Sequence, residues 1–341
     1  LLARLHFDSI KTKTTVKQIK ETLSKLSKGP EAYEKAYEDA QCRIEGQNPD
    51  ASKLAMDVLM WITCSKRQLS SRELREALGV EPGTLCMDKT NVPQVKDIGS
   101  VCAGLVEVDE KSDIVRLVHY TTQEYFERNQ NRWFPSAESR LAIVCVTYLS
   151  FDLFETGFCV NDEEFEMRIQ QNPLYDYAAR NWGHHARAAE SETAKITQSL
   201  LKSNAKVCAM SQALTVSKSK WCSGYSQGIR QMTALHLAAY FGIKEAAARA
   251  LGSQGCWDIR DSDGRTPLSW AAENGHQAIV ELLLENGAYL WSRDNFGRTP
   301  LSRAAGNGYE NIIQLLFERR TNFLKAFSIL RKILWRMAKF I

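Results

Sequence analysis

The histidines and cysteines of this chain are its most reactive residue types, and their spacing sets what chemistry is open to it. There are six histidines and nine cysteines in 341 residues. His119 stands in Val118-His119-Tyr120, at the end of an alternating apolar segment. For this lone histidine the favoured reading is a ring satisfied by the hairpin backbone. His184 and His185 are adjacent, so on a helix they diverge by about 100° and cannot chelate one metal from one face. Beside Tyr177 and Trp182 they read as packing residues. The cysteines show no C-x-x-C and no Cys/His cluster at zinc spacing, which reads as free buried thiols in a reducing, cytoplasmic compartment. No Ser/His/Asp or Cys/His arrangement stands out, and G-x-S-x-G is absent. Also absent are a phosphate loop of the form G-x-x-x-x-G-K-[ST] and a strand ending in paired acids that would hold Mg²⁺. No residue is therefore assigned a catalytic or metal-binding role. The chain reads as non-enzymatic, with no cofactor of its own.

Composition is that of an ordinary globular protein, 44% hydrophobic and 25% charged, with room for two or three domains. The net charge of +4 is too small to imply a nucleic-acid or membrane partner by itself. No apolar run reaches the ~18 residues of a membrane span, and no signal peptide is visible. The chain starts Leu-Leu, which reads as a fragment or a processed product.

Near the C-terminus a triplet returns every 33 residues: Thr233-Ala234-Leu235, Thr266-Pro267-Leu268 and Thr299-Pro300-Leu301. Ala238-Ala239, Ala271-Ala272 and Ala304-Ala305 keep one phase, as do Gly242, Gly275 and Gly308, and Asp261 recurs as Asp294. Asp261 to Gly264 is turn chemistry, Thr266 fits an N-cap with Pro267 at N1, and Gly275 and Gly287 fit helix ends. This 33-residue pattern resembles the ankyrin-repeat family, which implies stacked helix pairs that bind proteins. The first unit departs from it. Ala234 replaces Pro, Gln231 stands where the turn glycine should be, and the second helix is rich in alanine. His236 matches the family's Thr-Pro-Leu-His histidine, which ties neighbouring repeats by hydrogen bonds. Ser269 and Ser302 stand in its place later, so that tie is expected to be missing there. In the family, hairpin tips and exposed first-helix faces contact partners. Trp291 and Phe296 fall at tips and Trp270 and Arg303 at matching first-helix positions, so these four are the candidate partner-binding residues. For Trp270, packing against the adjacent repeat is an equal alternative.

Upstream, residues 1–48 read as helix, with Lys17 to Leu26 and Pro30 to Ile44 as its two pieces. Residues 50–130 have the order helix, helix, helix, hairpin, helix. Leu54, Val58, Trp61 and Ile62 form the first stripe, and Ser70 with Glu73 a capping box. Pro93 opens the third helix, Val106 to Val118 form the hairpin, and Thr121 with Glu124 reads as a second capping box. Three helices and a β-wing form a winged-helix pattern. The third helix presents Gln94, Lys96, Asp97 and Ser100, and the wing Glu107, Asp109, Glu110 and Asp113 against Lys111. That surface would repel phosphate, so nucleic acid is disfavoured as a partner.

Four stretches carry a further resemblance: EAYEKAYEDAQCRIEGQ, VLMWITCSKRQLSSRELREAL, SVCAGLVEVDEKSDIVRLVHYTTQEYF and NPLYDYAARNWGHHAR. They are similar to the fungal NACHT–ankyrin proteins, NOD-like STAND ATPases whose central part is a winged helix of the GPI inositol-deacylase type. The resemblance implies an upstream NACHT module that would bring ATP or ADP and Mg²⁺. It also implies a nucleotide-sensing role for His119, because a wing histidine in related switch ATPases contacts the ADP β-phosphate. The family motif places Asp after that histidine, and Tyr120 departs from it.

The reading is a mostly α protein: a winged-helix domain, a helical bridge and an ankyrin α-solenoid. Residues 1–48 are assigned to the C-terminal remnant of a NACHT module, left without packing partners, and 49–131 to the winged helix. Residues 132–215 form the bridge, 216–230 a linker, 231–319 three repeats and 320–341 a basic amphipathic tail. The tail's apolar stripe of Phe323, Phe327, Leu330, Leu334 and Met337 reads first as a cap on the last repeat or a gene-reading artefact, and after that as a membrane-surface helix. The function expected is that of a protein-binding adaptor. The alternatives are part of a nucleotide-switched ATPase and, further behind, a DNA-binding regulator.

Overall fold

The computed structural model describes residues 13–24, 31–109, 111–216, 231–254 and 256–321. Residues 217–230 of the expected linker at 216–230 and residues 322–341 of the tail at 320–341 lie outside the described residues, as do Leu26 of the first helix and Glu110 of the wing. The fold is mostly α-helical, and the chain divides into two compact units: residues 1–153 with 166–185, and 154–165 with 186–341. The boundaries fall inside the expected bridge, so its residues are shared between the units.

The first unit opens with α1 (Val16–Ser24) and α2 (Glu31–Glu45). α2 corrects the expectation of a segment without packing partners. Ala36, Tyr37, Ala40 and Ile44 are buried, and the Tyr37 and Tyr125 rings lie 4.5 Å apart. The Tyr37 hydroxyl also bonds Thr121 and Thr122 at 3.0 and 3.3 Å. Next come α3 (Pro49–Cys64), α4 (Ser71–Gly79) and α5 (Val95–Val101). Asn48 caps α3 through the Ala51 amide with Pro49 in the first turn, and Ser70 and Glu73 form the expected box on α4. Strands β1 (Val106–Asp109) and β2 (Ile114–Leu117) pair antiparallel, Val106 opposite Leu117. Val106, Val115 and Leu117 face inward, while Glu107 and Arg116 pair outward at 2.9 Å. An isolated antiparallel bridge sets Ser70 beside Ile114 of β2.

After the wing come α6 (Tyr120–Arg128), α7 (Gln130–Trp133), α8 (Ala137–Leu149), α9 (Asp162–Gln171) and α10 (Leu174–Ala188). The start of α6 differs from expectation. His119 is its N-cap, with Nδ1 accepting from the Thr121 amide at 3.2 Å, so the Thr121–Glu124 box does not open the helix. The cap thus sits two residues ahead of the expected Thr121. α8 is buried on nearly all sides, from Leu141 to Leu149.

In the second unit, α11 (Glu190–Leu201) and α12 (Asn204–Thr215) precede the repeats. The repeats are α13 (Ala234–Phe241) with α14 (Lys244–Gln254), α15 (Pro267–Glu273) with α16 (Gln277–Glu285), and α17 (Pro300–Gly306) with α18 (310–321). α12 packs on α13 and α11 on α14, so the pair covers the first repeat on the side facing away from α15. This satisfies the terminal-capping need of a solenoid. Thr266 and Thr299 cap α15 and α17 with Pro at the first position, as expected. Gly264 and Gly297 hold φ of 74° and 75° in the hairpin turns, and Gln231, at the same phase, is forced to 61°.

Candidate functional site

Each hairpin turn is organised around one aspartate. Asp261 Oδ1 accepts from the Asp263 and Arg265 amides at 3.0 and 2.9 Å. Asp294 Oδ1 accepts from Phe296 and Arg298 at 2.9 and 2.8 Å. The second oxygen is taken nine residues on. Trp270 Nε1 donates to Asp261 Oδ2 at 2.9 Å, and the Arg303 guanidinium pairs with Asp294 Oδ2. Trp270 is 5% exposed and Arg303 6%. Arg265 covers the Trp270 ring at 4.5 Å and Tyr240 meets its edge at 5.5 Å, while Arg303 also bonds Glu273 of the preceding repeat. Trp270 thus takes the alternative of packing against the adjacent repeat, while the expectation of Arg303 as a surface anchor is corrected: it is an interior tie. The Asp294 carboxyl is pushed up by burial, but the Arg303 bond and two amides outweigh this and hold it near about 2.

The other two candidates reach solvent. Phe296 is 68% exposed at the tip of the third hairpin, with Arg298 over its ring at 4.7 Å. Trp291 is half-buried and covered by Arg320 at 4.9 Å. Tyr289, 57% exposed, belongs with them, although sequence reasoning passed over it. Its signal was available, since it occupies a hairpin approach two residues before Trp291. The tips beneath these rings are laced together. Asn295 bonds Asp263 O and Ser262 O at 2.9 Å each, and Arg260 reaches Arg293 O at 2.7 Å. A Cβ on Gly264 would meet Asn295 Oδ1 at 2.5 Å, so only glycine permits this approach. The result is a row of aromatic side chains on a stiff edge, which can bury apolar area against a protein surface at little entropic cost.

His236 makes the tie expected of it. Its Nδ1 accepts from the Thr233 amide at 3.1 Å and its Nε2 donates to Arg265 O at 3.2 Å. The ring is fully buried and neutral, and burial lowers its pKa. Ser269 instead bonds within its own turn to Thr266, whose hydroxyl meets Ser292 at 3.3 Å. A different contact recurs at the first-helix ends. His276 lies over Gly242 and Tyr309 over Gly275, so close that a Cβ would clash with each ring, at 2.7 and 2.6 Å. His276 donates to Tyr240 O at 2.9 Å, and Arg187 donates to its Nδ1 at 3.1 Å.

In the first unit, His119 borders a cleft of about 610 Å³ shared with Trp61, Arg67, Leu69, Arg116 and Gln123. Its Nδ1 is engaged by Thr121 at the α6 start, not by the hairpin backbone that was expected to satisfy it. Arg67 is held by Glu73 and Asp176 at 2.6 and 3.1 Å, and Arg116 by Glu107. His185 is fully buried in a chain that runs from Glu138 Oε2 (2.5 Å) through the ring to the Tyr177 hydroxyl (2.9 Å). Burial lowers the His185 pKa against the pull of Glu138. Among the described residues no group of three or more His, Cys, Asp or Glu could hold a metal ion. Cys64, Cys102, Cys145 and Cys159 are buried, and burial pushes Cys64 and Cys102 up to about 12. Cys42, Cys86 and Cys256 are exposed, which departs from the uniformly buried expectation.

Comparison with known proteins finds two matches. Residues 44–144 match the family described as GPI inositol-deacylase, winged helix domain. Residues 185–294 match ankyrin repeats in three copies. The second match starts upstream of the first Thr-Ala-Leu triplet, taking in α11 and α12, and ends at Asp294. The chain thus carries a winged-helix domain of this type followed by ankyrin repeats, which are non-catalytic protein-interaction modules.

Proposed function

We propose that this chain is a protein-binding adaptor that engages its partner through the hairpin edge of the repeats. The observation that carries this is the set of Tyr289, Trp291 and Phe296 rings on turns cross-linked by Asn295 and Arg260. Such rigid aromatic side chains are the usual anchors of protein interfaces. Phe296 makes no hydrogen bond through its side chain, so Phe296→Ala should leave thermal stability within about 0.5 kcal/mol. It should cost the partner complex about 1–2 kcal/mol in affinity. Affinity capture of the full chain, wild type against Phe296→Ala, reads this as a set of proteins that drop out together. An unchanged set would count against the edge as the binding surface.

The chain is further read as part of a NOD-like STAND protein, with the winged helix acting as a regulatory hinge for a NACHT module upstream. Its compartment is the cytoplasm. What supports this is the joint order of winged helix and repeats together with the 610 Å³ cleft at His119. ATP or ADP and Mg²⁺ would belong to the upstream module, and this chain would be non-catalytic. Sequencing the natural transcript tests the reading through the presence or absence of a G-x-x-x-x-G-K-[ST] loop. Given that loop, His119→Ala in the complete protein should lower ADP retention; unchanged retention would leave His119 a helix cap and nothing more.

A further inference from the structure

Two exposed guanidiniums on the hairpin edge lack the carboxylate that their neighbours have. Arg260 and Arg293 stand at one phase of adjacent repeats, and both are exposed. Each spans its own turn, with Nη1 donating to Gly264 O at 3.2 Å in one and to Gly297 O at 3.3 Å in the other. Arg260 Nη1 also reaches Arg293 O at 2.7 Å, which sets the two residues side by side. Neither has a carboxylate partner among the described residues. By contrast, Arg265 pairs with Asp263 and Glu273, and Arg298 with Asp294. A guanidinium is a planar fork of five N–H donors that matches a carboxylate. Here the backbone carbonyls hold each fork in place and leave its Nε and Nη2 donors to an outside acceptor.

The acids of the same two hairpin segments are all engaged. Residues 256–266 and 289–299 contain Asp258, Asp261, Asp263 and Asp294. Asp261 and Asp294 are the buried turn acceptors. Asp258 accepts from the Tyr289 amide at 3.0 and 3.1 Å, and Asp263 lies 3.8 Å from Arg265. These segments carry four arginines against four aspartates, so their net charge is zero. A nucleic acid is poorly served by such a surface, because its affinity comes from many phosphate contacts. A peptide with a few carboxylates is served better. It meets two held forks, one of them on the turn that carries the exposed Phe296 ring.

We propose that the partner of the hairpin edge presents an acidic peptide segment that also carries an apolar side chain. Its carboxylates pair with Arg260 and Arg293, and the apolar side chain lies on Phe296. This names the partner's chemistry for the binding edge proposed above and rests on that reading.

The test titrates the full chain at low salt with a short peptide of glutamates around one leucine, and follows the arginine Nε–Hε resonances by NMR. Those of Arg260 and Arg293 should shift saturably, and the affinity should fall at high salt. The same peptide with glutamine for every glutamate should leave them unmoved. Arg293→Gln should weaken the glutamate peptide about threefold, the worth of one exposed ion pair. Lys96→Gln, which removes an exposed charge from the winged helix, should not weaken it. The proposal is overturned if the two arginines show no saturable shift, if the glutamine peptide binds equally, or if an oligothymidine binds them more tightly than the glutamate peptide. Affinity capture separates this from failure of the edge itself. If Phe296→Ala loses its captured proteins while the peptide leaves the arginines unmoved, the edge binds without an acidic segment and only this inference falls. If the captured set is also unchanged, both fall.

Discussion

At the scale of single residues, Asp261 and Asp294 explain side chains whose types looked like binding anchors. Each aspartate accepts two turn amides through one oxygen and a donor nine residues on through the other, Trp270 in one unit and Arg303 in the next. The sequence showed Trp270 and Arg303 in one phase but not the shared acceptor, because an indole and a guanidinium have nothing in common except a donor. Arg303→Ala should cost roughly 3 kcal/mol in denaturant unfolding, since it leaves a buried carboxylate without its main partner. Trp270→Phe, which removes the N–H and one ring of the indole from a buried site, should cost about 1–3 kcal/mol. The pH dependence has two windows. Asp294 is depressed from 3.8 to about 2, so its contribution is complete above about 4 and is lost as pH falls through about 2. His185, His236 and His276 are depressed below their ordinary 6.5. Unfolded chains then bind more protons than folded ones, and stability should fall as pH drops below about 6.5. A denaturation series from pH 8 to 5 checks the sign; a midpoint that rises on acidification would be inconsistent with neutral, buried rings.

At the scale of elements, regularity decided what could be read in advance. The Thr-Pro-Leu starts of α15 and α17 and the Ser70–Glu73 box were legible because capping is local. The α6 start was not, since His119 and Thr121 both offer a plausible cap and only the folded backbone chooses. The cover that α11 and α12 place on the first repeat was also hidden. Neither helix carries the 33-residue phase, and their apolar residues say only that something is buried. The first repeat shows its cost at Gln231, which takes the left-handed conformation that glycine adopts in the other two turns. Gln231→Gly removes strain of about 1–2 kcal/mol, less the extra entropy glycine loses on folding, about 0.5–1 kcal/mol. A net gain near 0.5–1 kcal/mol should appear as a higher denaturant midpoint. A loss would mean that the glutamine side chain makes a contribution larger than its strain.

At the scale of the whole molecule, a winged-helix unit and a repeat unit each have their own core, and the ankyrin repeats are protein-interaction modules. The histidines that could have done chemistry are engaged in folding: His119 caps a helix, His185 links Glu138 to Tyr177, and His236 joins two repeats. On the hairpin edge Tyr289 and Phe296 are open to solvent. The most direct test replaces Phe296 with a photo-reactive phenylalanine analogue in the full chain and irradiates it in an extract of its native cells. The control carries the same group at Glu285, exposed at the end of α16. Position 296 should give a discrete protein cross-link and position 285 none. Equal labelling at both positions, or none at 296, would contradict binding through the hairpin edge.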